Sequence, residues 1–311
     1  MNTYDINRNY HILKPLIDKA ILDSVEWITK RCKPHKPQEP DYVAALLNKF
    51  LKDFFNILVA VFPEYDFSVS SIYCHQSPIV DIGGTKNPEI GDILFVYIDR
   101  KNGDKDILNS LLLQAKISNN PVLKIPSREK HQLELYKYWP AFIYKSGLLR
   151  GKERDIYPKS ITDGAQYLLI DDNPMTNGMY DKIRMFPMGC AIPDDVLCIN
   201  NSLTEELIDM LKFKTGRVFD GEEYETIDDW SKMIWDLLKS AALKYSKRKY
   251  AGLDKFSRGQ IYNHYFTEHM VGATLWEKIC GHRNSEKWIH EEDIGVSVVL
   301  IESQLKRRPD E

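Results

Sequence analysis

Two segments near the start of the chain repeat hydrophobic residues at the spacing of an α-helix. Residues 10–31 carry one apolar stripe, formed by Ile12, Leu13, Leu16, Ile17, Ala20, Ile21 and Val25. This spacing predicts an N-terminal helix. The stretch CKPHKPQEP then predicts a short, stiff connector, because proline cannot continue a helix. Residues 41–63 predict a second, strongly apolar helix that ends at Pro63.

The middle of the chain instead consists of short apolar runs separated by turn residues, which is typical of β-strands. The runs FSVSSIYCHQSPIVDI, GDILFVYID and SLLLQAKIS predict three strands, and Asn102 and Gly103 predict a hairpin between the last two. Residues 128–144 predict another helix, and GAQYLLIDD predicts a fourth strand. The expected fold class is α/β, with a core of helix, three-strand meander, helix and strand.

Polar side chains interrupt these apolar strands at Asp92, Gln114 and Lys116. Burying such groups without partners is costly, so we expect them to share a site. Alternate residues of a strand face opposite sides of a sheet, and a two-residue turn would place Asp92 opposite Leu113, away from the other two. A three-residue loop over 101–103 would bring all three to one face. The shared site therefore predicts an odd-length loop or a bulge.

These residue types suit the hydrolysis of a phosphodiester bond with the help of a metal ion. Mg²⁺ prefers oxygen ligands and retains several waters, so few protein groups suffice to bind it. Asp92 would supply a carboxylate, Gln114 its side-chain carbonyl and Ala115 its backbone carbonyl, with Mn²⁺ as a substitute ion. Lys116 would orient or deprotonate the attacking water and stabilise the developing negative charge. The expected catalytic residues are Asp92, Gln114 and Lys116.

The arrangement of Asp92 at the start of one strand and Gln114 and Lys116 on the next resembles a known signature. It is similar to that of the PD-(D/E)xK nuclease superfamily, in the glutamine-containing form of the Mrr-type restriction nucleases. The resemblance covers residues 39–171. It implies a restriction-endonuclease-like core and a magnesium-dependent endodeoxyribonuclease, with DNA favoured over RNA.

The helix after these strands carries Gln132 and Tyr136, which are four residues apart and so lie on one helical face. This pair resembles the Q-x-x-x-Y motif of RecB-type nucleases. The resemblance implies that both side chains support the site by hydrogen bonds to the phosphate or the metal-bound water. The family often adds a glutamate on the first core helix, but residues 42–62 contain none, which leaves Glu39 or Asp41 as a substitute.

These patterns divide the chain into an N-terminal helix and linker (1–38), the nuclease core (39–171) and a mostly helical extension (172–311). A helical apolar stripe in the extension consists of Trp230, Met233, Ile234, Leu237, Leu238 and Ala241. A basic and aromatic run follows, and its cations include Lys247, Arg248, Lys249, Lys255 and Arg258. Basic side chains bind phosphates and aromatic rings stack on bases, so this run is a candidate nucleic-acid surface. A solvated helix end is the alternative interpretation.

Composition limits the expected partners and location. The formal net charge of the 311-residue chain is −3, so contacts with nucleic acid must come from local basic patches. No apolar run is long enough to span a membrane, no signal peptide is evident, and the five cysteines are scattered. We therefore expect a cytoplasmic protein without a membrane partner. The P-loop pattern is absent, so the chain itself should not hydrolyse ATP.

The sequence shows little apparatus for recognising a specific target. By family analogy, we expect an effector of a prokaryotic antiviral or restriction system under the control of a regulatory protein partner, for which an NTPase is one candidate. The alternative is an inactive nuclease-fold subunit that binds nucleic acid or a partner protein. Each residue also has a simpler interpretation, with Asp92 as a turn residue and Gln114 and Lys116 on the solvent face of an edge strand.

Overall fold

The structure is a computed structural model that describes residues 1–74, 78–101, 105–172, 187–220, 228–251, 266–269 and 295–306. Its helices are α1 (Thr3–Cys32), α2 (Glu39–Ala45), α3 (Leu51–Val61), α4 (Lys130–Tyr138), α5 (Leu203–Leu211) and α6 (Asp229–Ala251). A π-helical turn at Leu46–Phe50 joins α2 to α3 without a break. The predicted N-terminal helix and the long apolar helix are therefore confirmed.

The strands are β1 (Tyr65–Ile72), β2 (Val80–Asp81), β3 (Ile93–Arg100), β4 (Ile107–Ile117), β5 (Val122–Lys124), β6 (Phe142–Tyr144), β7 (Glu153–Arg154), β8 (Ala165–Ile170), β9 (Met188–Ala191), β10 (Val196–Ser202), β11 (Arg217–Phe219), β12 (Phe266–His269) and β13 (Ser297–Leu305). Most of them form one mixed sheet in the order β12, β1, β13, β3, β4, β8, β9, β10, β5, and β11 also pairs with β4. Strands β2, β6 and β7 form a small separate sheet. The fold is thus mixed α/β, built on a large sheet with several helices.

The predicted three-strand meander is wrong in one respect, because β13 lies between β1 and β3. Strands β3 and β4 pair as the expected antiparallel hairpin. Strand β13 pairs antiparallel with β1 and parallel with β3. Val298, Val299, Leu300 and Ile301 are all buried, so β13 is covered on both faces, as a central strand must be.

Among the described residues of 172–311, strands accompany the two helices, whereas the sequence predicted a mostly helical extension. The described residues of 172–311 form strands β9 to β13 together with α5 and α6. Strand β9 pairs with β8, so strands on both sides of residue 171 belong to one sheet. The run SVVLIESQL of β13 has the β-branched, apolar character of a buried strand.

Helices cover both faces of this sheet, and side chains alternate between the two cores. Along β3, Ile93 and Phe95 belong to the core beneath α1, α3 and α5. Leu94 and Val96 belong to the core beneath α4 and α6. This alternation follows from the two-residue repeat of a strand. The predicted stripe of α6 is confirmed, because all of its members are buried: Trp230, Met233, Ile234, Leu237, Leu238 and Ala241.

Two helices differ in detail from their sequence-based predictions. In α1, Ile12 and Leu16 were assigned to the buried stripe but are 45% and 39% exposed. They lie at the edge of the stripe, four residues apart on one side of the helix. Helix α4 ends at Tyr138 because Trp139 is left-handed, with φ 43°, and a proline follows it. The last part of the predicted helix forms β6 instead.

Candidate active site

Strand β4 continues beyond the start of its hairpin partner β3, and the candidate residues lie at this overhang. The hairpin register places Asp92, which directly precedes β3, across from Gln114. The connection over residues 100–106 is odd in length, as a shared face requires, although 102–104 lie outside the described residues. Asp92, Gln114 and Lys116 therefore share one face of the sheet, which is the face that α4 covers.

Two carboxylates occupy the edge of β4 where β3 no longer pairs with it. Asp92 Oδ2 accepts hydrogen bonds from the backbone N–H of Ala115 at 2.7 Å and from the side-chain amide of Gln114. Two residues further on, Glu39 Oε1 accepts from the backbone N–H of Ile117 at 3.2 Å. Backbone donors that a neighbouring strand would otherwise satisfy are thus bonded to acidic side chains.

Of the two proposed substitutes for the missing helix glutamate, Glu39 reaches the site and Asp41 does not. Asp41 Oδ2 accepts from the backbone N–H of Gln38 at 2.8 Å, within the capping box of α2. Acidic residues are favourable in the first turn of a helix because they complement its dipole. Local helix chemistry accounts for Asp41, whereas Glu39 also contacts β4.

Gln132 and Tyr136 hold the segment that leads into Asp92. The Gln132 side chain donates to the carbonyl of Glu89 at 2.8 Å and accepts from its N–H at 3.0 Å. The Tyr136 hydroxyl donates to the carbonyl of Ile90 at 2.9 Å. Both side chains are buried. Their hydrogen bonds go to the backbone of Glu89 and Ile90, which supports a positioning role, and the predicted contacts with a phosphate or a metal-bound water stay a prediction.

Gly91 makes this close packing possible. Its φ is +155°, and a Cβ at this position would lie 2.8 Å from the Tyr136 hydroxyl and 2.7 Å from a methyl group of Leu112. A larger residue would displace one of these buried groups, which are packed at crystal-like density. Gly91 therefore lets α4 approach the backbone directly before Asp92.

Lys116 forms an ion pair with Glu129, with 3.1 Å between Nζ and Oε2. Burial lowers the pKa of Lys116, but the carboxylates of Glu39 and Glu129 outweigh this effect and raise the pKa above its ordinary value. The amine is therefore protonated at neutral pH and cannot accept a proton. The geometry favours orienting and charge-stabilising roles for Lys116 over that of a base.

At Asp92 the environment favours the neutral form of the side chain, whereas at Lys116 it favours the charged form. Burial is the main cause that raises the pKa of Asp92 to about 7, and the negative charges of Glu89 and Glu39 act in the same direction, against the hydrogen bond from Ala115. Burial also raises the pKa of Glu89. Two acidic groups at the site therefore have pKa values raised mainly by burial, which is common at functional sites.

The sequence analysis missed two of these acids, Glu89 and Glu129. Each lies three residues before a residue that the analysis identified, Glu89 before Asp92 and Glu129 before Gln132. Glu89 forms an isolated bridge with Ile79 before β3, and Glu129 ends the short 3₁₀ turn before α4, so attention to the acidic residues just before each motif would have found them.

The residues at the site fit a single magnesium ion only in part. The described residues contain no group of three or more His, Cys, Asp or Glu side chains placed to hold a metal ion. However, Gln114 Oε1 is buried beside Asp92 and has no hydrogen-bond partner among the described residues. The Ala115 carbonyl projects from the same edge of β4 as its N–H. Such a donor set suits Mg²⁺, which keeps several waters.

The predicted nucleic-acid surface cannot be placed relative to this site. Lys247, Arg248 and Lys249 belong to the part of α6 whose side chains the structure does not describe, and Lys255 and Arg258 lie outside the described residues.

Comparisons with known proteins add no assignment. No family model matches the chain, and neither the curated proteins nor the solved structures contain a match. Within the described ranges, none of the helices has the length and apolar character needed to cross a membrane.

Proposed function

We propose that this chain is a metal-dependent nuclease that hydrolyses phosphodiester bonds, with DNA favoured over RNA. The observation that carries the proposal is the convergence of Asp92, Gln114 and Lys116 on one face at the overhang of β4. In this proposal, the restriction-endonuclease-like core comprises α2, α3, β1, β3, β4, α4 and β8, with β13 inserted. Cytoplasmic action under a regulatory partner, within an antiviral or restriction system, remains part of the proposal by family analogy.

Each residue has a defined task in this reaction. Asp92, Gln114 and Ala115 would hold Mg²⁺, which would supply charge stabilisation and help to activate a water for attack. Lys116, as a cation, stabilises negative charge that develops on the scissile phosphate. Gln132 and Tyr136 fix the backbone that presents Asp92, through their hydrogen bonds to Glu89 and Ile90.

The second candidate is an inactive nuclease-fold subunit that binds nucleic acid or a partner protein. It is favoured by the internal pairing of the site, since Asp92 is bonded to Ala115 and Gln114 and Lys116 is paired with Glu129. The described residues contain no group of three or more His, Cys, Asp or Glu side chains that could hold a metal ion, which points the same way.

Cleavage assays separate these candidates. Supercoiled plasmid, linear duplex, single-stranded DNA and RNA are each incubated with Mg²⁺, Mn²⁺ or EDTA. We expect metal-dependent cutting by the wild-type protein and a loss of about 100-fold or more in Lys116→Ala, because charge stabilisation at the transition state is lost.

Lys137→Ala is a matched control for this assay. Lys137 is also ion-paired, at 2.7 Å from Asp194, and its side chain is 23% exposed against 18% for Lys116. This control should cut at the wild-type rate. Binding of Mn²⁺, measured by calorimetry and lost in Asp92→Asn, gives a readout independent of cutting. An absence of cutting on every substrate would favour the inactive subunit.

A further inference from the structure

The carboxylates around Lys116 are held in two different ways. Asp92 and Glu39 accept backbone N–H groups of β4, so their positions are fixed by the sheet. Glu129 instead contacts two cationic side chains, with Lys116 Nζ at 3.1 Å and Arg128 Nε at 3.4 Å. The Glu129 side chain can therefore move away from Lys116 without breaking a hydrogen bond to the backbone of β4.

The ion pair of Glu129 is also accessible. Glu129 ends the short 3₁₀ turn Ser127–Glu129 directly before α4. Its side chain is 25% exposed, and that of Arg128 is 78% exposed. Ion pairs with such exposure contribute little stability, so a competing anion can break them.

We propose that the Glu129 carboxylate occupies the position of a nucleic-acid phosphate on Lys116 and Arg128, and that substrate must displace it to bind. This inference rests on the proposed nuclease function, which assigns Lys116 to the phosphate. Carboxylate and phosphate oxygens accept hydrogen bonds from the same Lys and Arg donors, so one anion can replace the other. Glu129 thus acts as a built-in competitor that closes the site in the absence of substrate.

Removal of the Glu129 charge tests this competition. Glu129→Gln keeps the shape of the side chain, and binding of short fluorescein-labelled single-stranded and duplex DNA is measured by anisotropy in EDTA, which prevents cutting. We expect the Kd for DNA to fall about fivefold, because the DNA phosphate no longer competes with the Glu129 carboxylate for Lys116. Glu134→Gln removes an exposed charge from α4, the helix that directly follows Glu129, and its Kd should change less than about twofold.

A double-mutant comparison shows whether the effect passes through Lys116. In a Lys116→Ala background, Glu129→Gln should give little further gain, because the competing pair no longer exists. Equal affinities of wild type and Glu129→Gln, or an equal gain in Glu134→Gln, would overturn this inference alone. A lack of DNA binding by every variant would overturn it together with the proposed nucleic-acid function.

Discussion

The two ends of β3 differ in how their buried charged side chains are paired. At its C-terminal end, Arg100 is bonded to Glu302 at 2.7 and 3.0 Å and to Asp106 at 2.5 Å, so both signs of charge are present. At its N-terminal end, Asp92 is buried beside other acids, and its pKa is raised first by burial and then by the charges of Glu89 and Glu39. We call the Arg100 end balanced, because its acidic groups are paired with a cation, and such pairing stabilises the fold. We call the Asp92 end unbalanced, because its acidic groups outnumber the cations, and such a site favours the binding of a cation.

The largest loss of stability should come from a substitution that removes the cation from the balanced end of β3. Arg100→Met removes the guanidinium that pairs with the carboxylate of Glu302, a residue that is 5% exposed. Loss of one member of a buried ion pair costs about 3–5 kcal/mol, because the remaining charge stays desolvated. Urea denaturation at pH 7 should show this decrease in the free energy of unfolding.

A matched control uses an ion pair on the surface. Lys14→Met breaks the pair with Asp18 one helical turn away, whose side chains are about 30% exposed. Such a pair contributes at most about 1 kcal/mol. If both variants lost the same stability, the network at Arg100 would not be the structural element that we describe.

The second prediction concerns Asp92, at the unbalanced end of β3. Here a substitution should increase the free energy of unfolding, whereas Arg100→Met should decrease it. The pKa of Asp92 rises from 3.8 to about 7, so the folded state binds this proton more tightly than the unfolded state. Stability contributed by the protonated group is therefore lost as the pH rises from about 4 to about 7. Asp92→Asn does not titrate, and it should be more stable than wild type at pH 8 in EDTA by about 2–4 kcal/mol.

An aspartate-to-asparagine change near the other end of β3 provides a comparison for this test. Asp106→Asn weakens the bond with Arg100 and should destabilise the protein at pH 8 by about 1 kcal/mol. Unfolding curves of the two variants between pH 4 and pH 8 should therefore diverge. A decrease in stability at pH 8 for Asp92→Asn would contradict the electrostatic description of the site.

Local patterns predicted the parts of the molecule that local physics determines. The apolar stripes of α1 and α6 and the β3–β4 hairpin follow from residue spacing. The constraint that Asp92, Gln114 and Lys116 share a face also predicted the odd length of the hairpin connection. Each of these features depends on residues that are close in the chain.

Features that join distant segments were not predictable in this way. Strand β13 enters the sheet next to β3, about 200 residues away in the chain, and no local spacing indicates which strand it will pair with. The hydrogen bonds of Gln132 and Tyr136 to the backbone of Glu89 and Ile90 likewise depend on how α4 packs over the loop. A motif therefore identified these residues, whereas tertiary packing determined what they do.

A third substitution, with a smaller expected effect than Arg100→Met or Asp92→Asn, tests this positioning role. Tyr136→Phe removes the donor to the Ile90 carbonyl, and the loss of a buried hydrogen bond should cost about 1–2 kcal/mol of stability. Because the same bond holds the backbone before Asp92, the cleavage rate should fall while the Kd for DNA in EDTA stays unchanged. Tyr138→Phe, at a side chain that is 54% exposed on the same helix, should change neither. A Tyr136→Phe protein with wild-type stability and rate would show that the hydroxyl does not position Asp92.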